Sequence, residues 1–176
     1  MWWCVPKPWS KSTISPPDAD FIKSGDILLL ENDSFRGRIV RTVNTKTEFS
    51  HAGIMDVCED GVYLLHADPN LGCVREDLGE LFGRSAFRSM KIMRYGESAD
   101  INRVINFCRD AVNENMPFNN SFRFKKGSGY YCTELIVEAY AFANITLLDG
   151  DLENMVILPE YFIDSTVLTV VCPVEK

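Results

Sequence analysis

The chain has 176 residues, 46% of them hydrophobic and 24% charged, with a net charge of −7 and a sequence pI near 4.9. That length suits one domain with a sizeable core, and the composition argues against intrinsic disorder. The acidic balance repels phosphate backbones and argues against a nucleic-acid partner, the nearest basic cluster being only Arg123, Lys125 and Lys126.

Residues 1–20 form an N-terminal segment rich in tryptophan and proline, with Trp2, Trp3 and Trp9 at its head and Ser15-Pro16-Pro17-Asp18 closing it. It lacks a basic n-region and a long apolar h-region, so it does not read as a secretory signal, and no later run is long enough to span a bilayer. As the sequence stands, a cytoplasmic location is expected, with the envelope open where a leader has been removed. The tryptophans are read as an arm laid over the core in preference to an interfacial membrane anchor.

From residue 21 to 176 a single domain is expected. Ile27 to Leu30 is a continuous apolar run and predicts a buried strand. Ser34 to Asn44, with Phe35, Ile39, Val40 and Val43 at helical spacing, predicts a short amphipathic helix whose wet face carries Arg36, Arg38 and Arg41. Two strand-like runs follow, one starting at His51 and one ending near His66, joined by a turn at Glu59-Asp60-Gly61. A third strand is expected over 73–75, a helical turn over 78–82 and another strand over 90–93. Ile101 to Val112 is a helix with Val104, Ile105 and Cys108 on one side. Lys125-Lys126-Gly127-Ser128-Gly129 is a polar loop, and from Cys132 the apolar positions Leu135, Ile136, Ala139, Tyr140 and Ala143 again follow helical spacing. Thr166 to Cys172 closes the chain as a valine- and threonine-rich strand. Several short consecutive strands between helices imply an α+β fold with a mainly antiparallel sheet.

Three residues in this order carry chemistry. Cys132 stands in the first turn of its helix, where unpaired N–H groups and the helix dipole favour thiolate over thiol. Thiolate is the form that attacks carbonyls. The chain has only two histidines. His51 at the start of one strand and His66 at the end of the next meet at the same edge of an antiparallel pair. Together the three read as nucleophile, base and base-orienting residue. A zinc site built from the same three is the alternative on ligand type alone, but a metal would not require the cysteine to open a helix. The other five cysteines include no C-x-x-C pair, and most sit in apolar runs as expected for buried reduced thiols.

Ser50-His51-Ala52-Gly53-Ile54, then Leu65-His66-Ala67, then Tyr131-Cys132-Thr133-Glu134-Leu135 resembles the permuted papain-like amidases of the YaeF/YiiX type. These are circularly rearranged relatives of the NlpC-type cell-wall peptidases, and histidine precedes cysteine here as in the rearranged group. Lys23-Ser24-Gly25-Asp26-Ile27-Leu28-Leu29 resembles the family's opening strand, and Met116-Pro117-Phe118-Asn119 and Pro159-Glu160-Tyr161-Phe162 its later landmarks. The family usually carries glutamate where this chain has His66, and serine where it has Thr133. The resemblance implies a permuted papain-like fold, with the cysteine helix packed against a curved sheet.

On that resemblance the expected activity is a cofactor-independent cysteine amidase or peptidase acting through an acyl-thioester. Cys132 attacks, His51 is the base and His66 holds the ring of His51. The oxyanion would meet the backbone N–H of Cys132 and one further donor, Tyr131 or Tyr130. Both tyrosines read equally well as core aromatics. Glu134 resembles the family's glutamate, and its plainer role is a favourable charge in the first helical turn. The substrate is left open among a peptide, an amino-acid amide and a lipid acyl group. A lipid-directed thiol acyltransferase or lipase, or a non-catalytic binding module, remains the alternative on the same scaffold.

Overall fold

The computed structural model describes residues 14–32, 48–97, 100–125 and 129–173. The helix expected over 34–44, Lys126 and most of the tryptophan-rich segment lie outside them. The described elements are β1 (Ile27–Asn32), β2 (His51–Cys58), β3 (Gly61–Asp68), β4 (Gly72–Asp77), α1 (Leu78–Arg84), β5 (Phe87–Tyr95), α2 (Ile101–Asn113), α3 (Cys132–Phe142), a 3-10 turn (Pro159–Phe162) and β6 (Leu168–Pro173). The strands make one antiparallel sheet in the order β4-β3-β2-β1-β5-β6. The α+β architecture expected from the alternation of strand and helix patterns is the one observed.

Both faces of this sheet are covered, which explains why β1 is apolar without alternation. Ile27 and Leu29 pack with Ala52, Ile54, Leu65 and Ala67 against α2 and α3. Leu28 and Leu30 pack with Met55 and Leu64 on the other side, where α1 supplies Leu78, Leu81 and Phe82. The α1 helix starts where Asp77 accepts a hydrogen bond from the Glu80 N–H at 2.9 Å, capping an otherwise unpaired donor. The stripe Val104, Ile105, Cys108 and Ala111 seats α2 against the sheet.

Helix α3 is buried on more than the one face its spacing suggests. Cys132 through Val137, then Ala139 and Tyr140, are all inaccessible, because α2 and residues 145–162 close over the side turned away from the sheet. The Tyr140 hydroxyl donates to the Gly25 carbonyl, tying α3 to the entry of β1. Opposite it, Asp56 of β2 receives the guanidinium of Arg109 on α2 at 2.8 Å and that of Arg75 on β4 at 3.0 Å. This clasp leaves no buried charge of β2 unpaired on the helix side.

Candidate active site

The segment entering β2 is fixed by Ser50. Its hydroxyl donates to the Asn32 carbonyl at 2.7 Å and accepts the Asn32 N–H at 2.9 Å, while its own N–H reaches Leu30 O at 3.0 Å. His51 therefore begins β2 at a defined point of the sheet. Pairing of β2 with β3 runs from Cys58↔Gly61 to Ile54↔Leu65, and His51 and His66 stand at its end. Alternation along the strands puts Ala52, Ile54, Leu65 and Ala67 on the side of α3. It puts His51, Gly53 and His66 with Met55 and Leu64, on the side of α1. Gly53 is a packing requirement here. A Cβ on it would lie 2.7 Å from Leu64 Cγ and 3.0 Å from His66 Cβ, so any side chain would push His66 out of place.

The two imidazoles are in direct contact. His51 Nε2 lies 2.9 Å from His66 Nδ1, with the rings edge to face at 4.8 Å. Each residue is 1% exposed. The line continues past the two expected residues, because His66 Nε2 lies 2.9 Å from Oε2 of Glu76 on β4. Glu76 is in turn gripped by the guanidinium of Arg84 at the end of α1. Hydrogen bonding to His66 and Arg84, against an opposing cost of burial, holds the Glu76 carboxyl below its usual range, so it is an anion. Glu76 and Arg84 escaped the sequence reading. Their only signal is a register, Leu64↔Glu76 and His66↔Val74, that puts position 76 diagonal to His66 on one face.

Cys132 arrives from the other layer. The loop before it is pinned by a parallel bridge between Phe118 and Tyr130, with the Tyr130 N–H on Pro117 O at 3.0 Å. Gly129 has φ +110°, and a Cβ there would collide with the Pro117 carbonyl oxygen, so only glycine fits. Cys132 is 3% exposed. The N–H groups of Ala52, Thr133 and Cys132 itself point at its sulfur and favour thiolate, but burial outweighs them and pushes the thiol up to about 11. His51 is held well below its usual value, by burial first and then by His66 and Arg84. This corrects the expectation of a resting thiolate: the helix-start donors are present, yet desolvation wins, and the resting pair is thiol and neutral imidazole. The sulfur lies beside the amide that follows His51. Among the described residues no hydrogen bond joins it to either imidazole.

The remaining candidates surround the start of α3. The Glu134 carboxylate accepts from the N–H groups of Lys125 at 2.8 Å and Tyr131 at 3.2 Å and from Asn119 Nδ2 at 2.9 Å. Burial raises its pKa against those donors. The Tyr131 hydroxyl accepts the Ile157 N–H at 3.0 Å, and the neighbouring Thr133 hydroxyl donates to Ile157 O at 2.7 Å. Tyr130 is half-buried against Phe107, and burial pushes its phenol up to about 12. These groups hold the helix start in place. A cavity of about 640 Å³ lined by Val137, Ala141, Ile145 and Leu152 lies along the far part of α3, and none of Cys132, His51 and His66 lines it.

Residues 21–171 match the family model described as permuted papain-like amidase enzyme, YaeF/YiiX, C92 family. A crystal structure of the metalloprotein yiiX from Escherichia coli O157:H7 superposes with a TM-score of 0.66 at 17% identity, covering 86% of this chain and 97% of that one. No curated protein matches.

Proposed function

The chain belongs to the permuted papain-like amidase family of the YaeF/YiiX type, and from that premise we propose that it is a cysteine-dependent hydrolase cleaving an amide through an acyl-thioester on Cys132. The observations that support this reading are the Ala52 N–H, next to His51, pointing at the Cys132 sulfur at the start of α3, and the hydrogen-bonded line of His51, His66 and Glu76 on the other face of the same strand. His51 Nε2 is engaged by His66, and the proposed reaction runs through Nδ1.

In the proposed reaction His51 Nδ1 takes the thiol proton as the sulfur bonds to the substrate carbonyl carbon. The oxyanion so formed meets the Cys132 N–H at the start of α3. When the intermediate collapses, the C–N bond breaks and the imidazolium gives its proton to the leaving amine. His51 then deprotonates a water that attacks the thioester, and the thiol is restored. Because thiol and imidazole are both buried and neutral at rest, charge separation is coupled to substrate entry, which must also uncover the sulfur.

The donor set does not suit a metal. His51 Nε2 and His66 Nδ1 face each other across one hydrogen bond, and His66 Nε2 faces Glu76, so the two rings cannot turn these nitrogens on a shared ion without dismantling that line.

The test is intact-mass detection of an acylated chain after incubation with p-nitrophenyl acetate, followed by a panel of amino-acid amides, short peptides and long-chain esters. A stoichiometric adduct that maps to Cys132, and is lost in Cys132→Ala and His51→Ala, is expected. Turnover that survives Cys132→Ala would overturn the reading. Preference for long-chain esters over all amides would move the chain to the lipid-directed alternative.

A further inference from the structure

We propose that the cavity along the far part of α3 is a binding site for a small amphiphilic amine, a ligand with an apolar body and one ammonium end. None of Cys132, His51 and His66 lines this cavity, so the site stands apart from the proposed reaction.

The space follows from how α3 is covered. Val137 and Ala141 stand one turn apart on one face of the helix, and the chain leaving α3 folds back over that face with Ile145, Leu147 and Leu152. Hydrogen bonds outside the cavity hold these walls. The Ile145 N–H returns to Tyr140 O at 3.0 Å, and the Ser165 hydroxyl donates to Leu147 O at 2.7 Å. The Phe124 N–H donates to Met155 O at 2.8 Å, and Phe124 O accepts the Asn154 N–H at 3.0 Å. Gly150 lies between these anchors and has no atom within 4 Å of where a Cβ would stand, so nothing fills the gap there. The cavity of about 640 Å³ is therefore pre-formed, and it falls within the range of small-molecule sites, roughly 300–1,000 Å³.

Its floor is apolar and its rim is acidic. Glu138, Asp151 and Glu153 line it, against Lys125 as the one cation among the described lining residues. The Asp151 carboxylate is held by the Glu153 N–H at 3.0 Å. Among the described residues no ion pair engages any of these three carboxylates or Lys125. Asp149 and Asp164 line a smaller adjoining cavity of about 290 Å³ that shares Leu147, Leu148 and Leu152 with the first, so the same sign of charge continues past it. A cleft with one sign of charge over an apolar floor concentrates the opposite ion. An ammonium at the rim would pair with carboxylates that have no cation of their own, while its apolar body would replace water on Val137, Ala141 and Ile145. A ligand ending in a carboxylate would meet repulsion, with only Lys125 to receive it.

The experiment uses three probes of one shape, 4-phenylbutylamine, 4-phenylbutanol and 4-phenylbutyrate, titrated by calorimetry into the full chain. The amine should bind about fivefold or more tightly than the alcohol, and the carboxylate should bind least. Raising the salt should bring all three toward the alcohol's affinity. Glu138→Gln combined with Glu153→Gln should bring the amine to that affinity and leave the alcohol unchanged. Ala141 is exposed, and the ring introduced by Ala141→Trp would occupy the cavity, so this variant should bind none of the three. Cys132→Ala should bind them as the intact chain does. Equal affinity for amine and alcohol, tighter binding of the carboxylate, or no binding of the amine would overturn the proposal. Amine binding that persists in Ala141→Trp would place the ligand elsewhere and overturn it too. If Ala141→Trp does not fold, an amine affinity unmoved by the paired glutamate substitutions overturns it instead.

Discussion

At the scale of single residues, the site is set by how burial competes with hydrogen bonding. Cys132 has three backbone donors aimed at its sulfur and is nevertheless pushed up to about 11, because the same packing that aims the donors removes water. Ultraviolet titration of the thiolate should therefore show no ionised Cys132 at neutral pH without substrate. Thiolate absorbance at neutral pH that vanishes in Cys132→Ala would contradict this balance. Position 66 gives a second expectation. His66→Glu would set a carboxylate against Glu76 where like charges in a buried site cannot both ionise. Acylation normalised to folded protein should fall in His66→Glu and recover in His66→Glu combined with Glu76→Gln. A single variant as active as the double one would show that Glu76 does not reach the site.

At the scale of elements, two devices fix the strands and helix that carry these residues. The first is Glu134, whose carboxylate satisfies donors on the loop, the helix start and Asn119. Glu134→Ala would orphan buried donors and should cost about 2–4 kcal/mol in urea unfolding. A loss below about 1 kcal/mol would show that water replaces the carboxylate. The second is the clasp of Asp56 with Arg109 and Arg75, which joins β2 to α2 and β4. Burial opposes ionisation of Asp56, but the two guanidiniums overcome it and hold the carboxyl below its usual value. A depressed acid contributes stability above its unfolded pKa and loses it as pH falls through the folded one. Unfolding midpoints should thus drop in acid, below the unfolded value of 3.8, and the drop should be shallower in Asp56→Asn. Equal acid slopes for the two proteins would remove the clasp from the account.

At the scale of the whole molecule, a sheet covered on both faces leaves its thiols in unlike surroundings. Cys73 and Cys108 are buried, with Cys73 pushed up to about 12 and Cys108 raised further, both chiefly by burial. Cys58 is partly accessible at the end of β2. Among the described thiols, alkylation in native buffer should mark Cys58 first and Cys132 later, through local opening. Cys73 and Cys108 should react only as urea unfolds the whole sheet. Labelling of Cys108 as fast as that of Cys58 would show that α2 is not seated on the sheet. The same double coverage separates the layers from which the site is assembled, since the imidazoles belong to the α1 face and Cys132 to α3. Cys132 reaches β2 through the Ala52 amide, which points at the sulfur, while the His51 ring lies on the other face of that strand.

Local pattern was enough to foresee the strands, the two described longer helices, the cysteine at a helix start and the meeting of His51 with His66. Each of these depends on spacing within about a dozen residues or on one tight turn, and period and turn chemistry act at that range. The family's permuted arrangement was legible only through the resemblance, and the order β4-β3-β2-β1-β5-β6 was not legible at all, because strand order is a long-range property. Ionisation was misjudged from sequence, since a helix start announces its donors but not the depth at which it is buried. Glu76 was invisible for a similar reason. Its carboxylate reaches His66 because β4 pairs with β3 in one particular register, and Arg84 reaches Glu76 because α1 folds back over that face. Residue types and periodicities were written in the chain; the dielectric around them, and the partner across a strand, were decided by the packing of segments that local sequence does not place.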